Sequence, residues 1–277
     1  MYFLHNDIHY FSICQKYGIE NLVDRMLRQE TPRKKMPPGE ALIPQLTLDC
    51  VILGFHDGQL KVLLLRWKDT QDWSLPGGPI YQSESLDEAA YRVLKERTCL
   101  DHIFLQQFHT FGELPRYDLN HIREKLKHVV DPGLWYERAI SIGYYALVDY
   151  SQVSPTPDGY TDECRWWDVQ EVPDLLFDHS HIIERARQAL RVELSLQPIG
   201  YNLLPEKFTM PELQRLYEAM LGKTLDPRNF YKKMTSLGIL ERLKERKRGG
   251  AYKAPYLYRF NKDEYEAKLK EGALSFL

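Results

Sequence analysis

The sequence predicts an α+β protein: an α/β/α sandwich over residues 44–200 and a winged helix-turn-helix over residues 201–277, preceded by an extension, residues 1–43. Three observations predict it. Five β-rich runs between Leu46 and Val169 surround one amphipathic helix. Two short helical patterns follow Thr209, and a basic, glycine-containing hairpin follows them.

In chain order, the extension contains a helical pattern over Ile19–Arg28 and ends in a charged, proline-bearing linker, Arg28–Glu40. Leu46–Phe55 and Leu60–Trp67 are strand-like and flank Asp57-Gly58, the dipeptide of a tight hairpin turn. Ser85 and Glu88 form a capping box that starts a helix over Leu86–Thr98. Further strands are expected at Phe104–Phe111, Ile140–Val148 and Cys164–Val169. Between them, Glu113–Arg138 reads as a charged surface insertion with a short helix. A helix over His181–Leu196 gathers Ile182, Ile183, Ala186, Ala189 and Leu190 on one face. The histidines of Phe177-Asp178-His179-Ser180-His181 invite a metal reading, but Asp178 or Ser180 suits a helix cap and no other ligands have matching spacing. His121 and His128 are expected to face solvent.

In the last part, Thr209 and Glu212 repeat the capping box, and Leu213, Leu216, Tyr217 and Met220 recur at helical spacing before Gly222. Asp226 and Pro227 open a second helix that buries Phe230, Met234 and Leu237 and ends at Gly238. This leaves Arg228, Lys232 and Thr235 on one polar stripe, with Asn229, Lys233 and Ser236 beside it. Ile239–Arg246 and Tyr256–Phe260 then flank the basic tip Lys247-Arg248-Gly249-Gly250-Ala251-Tyr252-Lys253. In a winged helix the second helix enters the major groove and the wing's cations hold phosphates. The candidate DNA contacts are therefore Arg228, Asn229, Tyr231, Lys232, Lys233, Arg246, Lys247, Arg248 and Lys253. An interaction-only module is the alternative.

Charge supports the division. The net charge of −2 conceals 16 basic against 10 acidic residues after Gly200 and 21 against 29 up to it. A basic C-terminal part suits a polyanion partner. No apolar run approaches the length of a membrane span and no signal peptide is recognised. Cysteines 14, 50, 99 and 164 form no C-x-x-C pair, which argues against disulfides and zinc and for a reducing, cytoplasmic setting.

Leu75-Pro76-Gly77-Gly78 runs through Glu84 into the first helix, where Arg92, Leu94, Glu96 and Leu100 stand at fixed spacing. This resembles the Nudix box, G-x5-E-x7-R-E-U-x-E-E-x-G-U with U apolar. In that family three helix carboxylates on one face gather a divalent metal around a diphosphate. Here those positions are Val93, Glu96 and Arg97, and the glycine that ends the helix is Cys99, so neither metal binding nor an unchanged backbone is expected. The fold implied is a Nudix-like sandwich whose cleft remains, with Trp73, Glu84, Glu96 and Arg97 as effector-pocket candidates; a scaffold without ligand is the alternative.

Asn202-Leu203-Leu204-Pro205, Phe208-Thr209, Leu213-Gln214, Tyr217-Glu218-Ala219 and Asp226-Pro227-Arg228-Asn229-Phe230 resemble the Nudix-related transcriptional regulators. The resemblance implies a bacterial homodimer that binds operator DNA and a small effector, ADP-ribose or a pentose, with no cofactor and no metal. The Val93 and Arg97 departures resemble the sugar-responsive branch. A hydrolase of nucleoside-diphosphate derivatives is the rival.

Overall fold

The computed structural model describes residues 41–99, 104–130, 137–196, 198–200, 203–247 and 254–270. The chain divides into two compact units, Met1–Pro38 and Gly39–Leu277, and the first lies outside the described residues, as do the expected helix and linker there.

The second unit opens on the expected hairpin. β1 (Leu42–His56) and β2 (Gln59–Trp67) pair antiparallel around Asp57 and Gly58. Both turn residues have positive φ, 51° and 78°, the geometry that matches the twist of a two-residue hairpin. β3 (Trp73–Ser74) and β4 (Gly77–Tyr81) follow, and then α1 (Leu86–Thr98). β5 (Phe104–Phe111), α2 (Leu119–Leu126), β6 (Ile140–Leu147), β7 (Thr161–Asp168) and α3 (His179–Leu196) complete the sandwich. The sheet runs β3-β2-β1-β6-β5, with β4 also on β1 and β7 also on β2; β1 and β6 pair in parallel, and the other strand pairs named here are antiparallel.

Alternation along β1 sorts the core onto two faces. Leu48, Cys50 and Ile52 meet Ala89, Ala90, Val93 and Leu94 of α1. Val51 and Leu53 face the other way, toward Ile182, Ile183, Ala186 and Leu190 of α3.

The winged module comprises β8 (Phe208–Thr209), α4 (Met210–Leu221), α5 (Pro227–Ser236), β9 (Leu240–Arg246), β10 (Tyr256–Phe260) and α6 (Lys262–Lys270). Its sheet is ordered β8-β10-β9. β8 and α6 extend the expected helix, helix, hairpin. The apolar cluster under α3 does not stop at residue 200: it runs through Leu203, Leu213 and Tyr217 to Tyr258 and Tyr265.

The insertion is more integrated than a surface loop. α2 buries Ile122 and Leu126 against Leu176, Trp67 and Phe177, while His121 and His128 are exposed.

Candidate functional site

The Nudix-like loop and helix are locked by their own matched residues. Ser85 and Glu88 form both bonds of the capping box. Arg92 donates to both carboxylate oxygens of Glu84 at 2.9 and 2.6 Å, and to Pro79 O at 2.9 Å. Glu84 also accepts from Tyr81 N at 2.9 Å. Burial would push the Glu84 carboxyl up, but Arg92 and the Tyr81 amide hold it below the usual range. Glu84 therefore closes the loop onto the helix.

The face where a metal would sit is occupied differently. Val93 is 1% exposed and packs in the core. Arg97, 6% exposed, donates from Nη2 to Asp158 at 2.6 Å, while Thr156 N donates to Arg97 O at 3.1 Å. Asp158 also accepts from Tyr160 N and Thr161 Oγ1. Burial would raise the Asp158 carboxyl, but Arg97, Thr161 and the Tyr160 amide together hold it below its ordinary value. Glu96 is half-buried within electrostatic reach of Arg92. A hard cation needs several oxygen ligands, and a valine and an ion-paired guanidinium do not fit one. Among the described residues no group of three or more His, Cys, Asp or Glu converges as metal ligands.

Two expectations about this region need correction. Cys99 does take the left-handed conformation, at φ 58° and ψ 18°, and its amide donates to Lys95 O, so the helix ends as a glycine would end it. Holding a non-glycine residue there costs roughly 1 kcal/mol. Cys99→Gly is accordingly expected to stabilise the protein by about 0.5–1 kcal/mol, read as a higher urea midpoint; an unchanged or lower midpoint contradicts that account. Trp73 is not brought to the other three pocket candidates. It is 5% exposed and lies on the α3 face of the sheet, edge-on to Trp167 and under Arg165, opposite α1.

The α3 face also holds a buried polar network that has no periodic signature in the sequence. Asp49 accepts from Ser141 Oγ at 2.5 Å and lies 3.3 Å from His179 Nε2 and 3.9 Å from Arg116 Nη2. His179 Nδ1 accepts from Leu75 N at 2.9 Å, so Nε2 carries the proton that faces Asp49. Arg116 grips Asp178 with two bonds, of 2.8 and 2.6 Å. The Asp178 carboxylate thus does not cap α3; its backbone oxygen accepts from Ile182 N instead. A Cβ at Gly77 would lie 2.6 Å from both Asp49 Oδ1 and Leu48 O, which explains glycine there. Burial would raise the Asp49 carboxyl, but His179, Ser141 and Arg116 hold it below its ordinary value. The one hint in sequence is an aspartate between Leu48 and Cys50 in an otherwise apolar run.

In the winged module, Thr209 and Glu212 complete a capping box and Gly222 closes α4 at φ 69°. Asp226 caps α5 by accepting from Asn229 N at 2.9 Å. Phe230, Met234 and Leu237 are buried beneath it. Arg228, Asn229, Tyr231 and Lys232 are exposed and Lys233 is half-buried. No ion pair engages Arg228, Lys232 or Lys233 among the described residues. The wing's cations are more committed. Arg246 stacks 4.2 Å from the Tyr256 ring centre and bonds its hydroxyl, and Lys247 pairs with Glu212. Tyr231 Oη lies 3.4 Å from Tyr258 Oη. Arg248 and Lys253 lie outside the described residues.

The last turn of α5 is capped from outside. Lys268 of α6 donates from Nζ to Leu237 O at 2.6 Å and pairs with Glu264 at 3.4 Å. A cation there complements the helix's negative end. Lys268→Met is expected to weaken DNA binding a few-fold with an unchanged salt slope, since Lys268 acts on α5 rather than on phosphate. A slope reduced by about one would make it a phosphate contact instead.

Comparison with known proteins follows the same division. Residues 44–186 match the model of the NUDIX domain and residues 200–260 that of the NrtR DNA-binding winged helix domain. The chain is 28% identical over 230 residues, 80% of its own length and 84% of the relative's, to the ADPR responsive transcriptional repressor NtrR of Acinetobacter baylyi. It superposes on the crystal structure of Shewanella oneidensis NrtR complexed with a 27mer DNA with a TM-score of 0.62 and 28% identity, covering 84% of this chain and 98% of that one. A MutT/nudix family protein from Enterococcus faecalis, 22% identical with a TM-score of 0.58, shares the fold over 94% of this chain and all of its own. Among the described residues, no helix is long and apolar enough to cross a membrane.

Proposed function

The chain belongs to the Nudix family, its matched residues running on into an NrtR-type winged helix domain, and from that premise we propose that it is an effector-responsive transcriptional regulator. It holds operator DNA through α5 and the β9–β10 wing, as a homodimer on a palindromic site. The observation that carries this reading is α5: a capped helix with Arg228, Asn229 and Lys232 exposed on the side away from its buried Phe230 and Met234. The effector is a small ligand of the ADP-ribose type, which the ADPR response of the Acinetobacter relative supports over a free pentose. It is bound and not consumed, since Val93 and the Arg97–Asp158 pair stand where metal-bearing carboxylates would be needed.

The test is fluorescence anisotropy with the duplex upstream of the protein's own gene, followed by addition of ADP-ribose. Tight binding that falls steeply with salt, and an affinity shifted by ADP-ribose that is recovered intact after incubation with Mg²⁺, are expected. Absence of DNA binding at low salt overturns the regulator. Sustained hydrolysis abolished by Glu96→Gln establishes the rival hydrolase.

A further inference from the structure

Glu84 and Arg97 are engaged within the protein, and a cavity of the Nudix-like domain lies elsewhere. It measures about 270 Å³ and opens between α2 and the segment that leads into α3. Tyr117 and Phe177, packed edge to face with centroids 5.2 Å apart, and Ile122 supply its apolar walls. The polar lining is mainly acidic: Asp72, Asp118 and Asp174. Lys125 reaches it, but its ammonium lies 2.5 Å from Asp72 and is already neutralised there; His121 is the other basic group. The Tyr117 hydroxyl has no hydrogen-bond partner among the described residues.

That chemistry selects a ligand. Phosphate recognition needs converging cations or amide donors, and three carboxylates around one paired lysine repel an anion. Carboxylates accept well from vicinal hydroxyls, as acidic residues do from ribose in dinucleotide folds. Aromatic walls cover the C–H faces of a ring. We infer that this cavity is the subsite for the ribosyl ring of the effector, or for a free pentose of the same chemistry. The inference rests on the sensor reading above and names where its ligand's sugar sits.

The place in the fold suits a signal. Leu176 N donates to Trp73 O at 2.9 Å, so the cavity wall is tied to the sheet. Phe177 holds a positive φ of 57°, a strained conformation for an aromatic residue. The next two residues bind Arg116 and Leu75 N, and α3, which begins at His179, packs on α4 of the winged module. A ring that prefers one setting of Phe177 therefore acts at the root of the helix that carries the DNA-binding part.

The experiment is calorimetric titration of the full chain with D-ribose, ribose 5-phosphate and ADP-ribose, in the wild type and in Asp118→Asn and Asp174→Asn. Asp118 caps α2 by accepting from Asn120 N at 3.0 Å and His121 N at 3.2 Å; asparagine still caps it, and an unchanged melting temperature without ligand verifies each variant's fold. We expect both variants to weaken ADP-ribose about tenfold, and ribose 5-phosphate to bind no tighter than ribose. Competition between ribose and ADP-ribose identifies the free sugar as sufficient, and binding of ADP-ribose alone assigns the ring to a nucleotide; either supports the subsite. Unchanged ADP-ribose affinity in both variants overturns it, as does a tenfold preference for the phosphorylated sugar or no binding of any of the three. If ADP-ribose still shifts the wild type on DNA while both variants bind it unaltered, the sensor stands and only the cavity assignment fails.

Discussion

Arg116→Ala is expected to lower unfolding stability by about 3–5 kcal/mol, a large share of a domain's total. The guanidinium is 6% exposed and faces Asp178 at 8% and Asp49 at 11%. Removing it leaves two buried carboxylates with one cationic partner fewer, and the desolvation of an uncompensated charge, not the lost attraction, sets the size of the effect. Arg116→Lys is expected to recover only part, because an ammonium cannot supply the two parallel bonds to Asp178. Adding Asp178→Asn to Arg116→Ala is expected to be less damaging than the two changes summed, since it removes one orphaned charge. Urea unfolding at constant m-value measures each; a loss under about 1 kcal/mol would mean that the network behaves like a surface pair. Because Asp49 is held below its ordinary value of 3.8, its contribution is present above that pH and is lost as pH falls through the lower folded value.

Arg228→Ala and Lys232→Ala are expected to injure DNA binding in different ways. Arg228 is the second residue of α5, at the end by which the recognition helices of winged modules generally reach base edges, whereas Lys232 lies a turn further on. Loss of Arg228 should cost about 1–3 kcal/mol at the operator, roughly tenfold to a hundredfold, and relax preference for guanine at one position. Loss of Lys232 should weaken specific and non-specific duplexes alike and reduce the salt slope by about one. Anisotropy across a salt series with operator and scrambled duplexes separates the two. Equal losses on both duplexes for Arg228→Ala would make it another phosphate contact.

What was legible in the sequence was local. The capping boxes Ser85–Glu88 and Thr209–Glu212, the Asp57-Gly58 turn and the Asp226-Pro227 helix start are each set by residues within hydrogen-bond reach along the chain, and all four appear. The site's decisive contacts are not local. Arg97 and Asp158 are separated by 61 positions and Arg116 and Asp178 by 62, and no periodicity connects them. Arg97 was recognisable as a misplaced cation, but not as the anchor of the 154–161 segment. Strands as short as β3 and β8, two residues each, carry no pattern of their own and exist only through their partners. Cys99 departs from the sequence expectation for a different reason: its left-handed backbone is imposed by the turn that ends α1, against the residue's own preference.

The apolar cluster that continues past residue 200 makes the two matched segments thermodynamically inseparable. Leu190 and Leu194 of α3 and Leu213 and Tyr217 of α4 are all fully buried in one core, and Tyr217 Oη donates to Ile199 O at 3.3 Å across the junction. A chain joined in this way should melt in a single calorimetric transition whose van't Hoff and measured enthalpies agree. It follows that anything that tightens the sandwich on its ligand also raises the melting point of the DNA-reading part, and that operator DNA protects the sandwich from proteolysis in return.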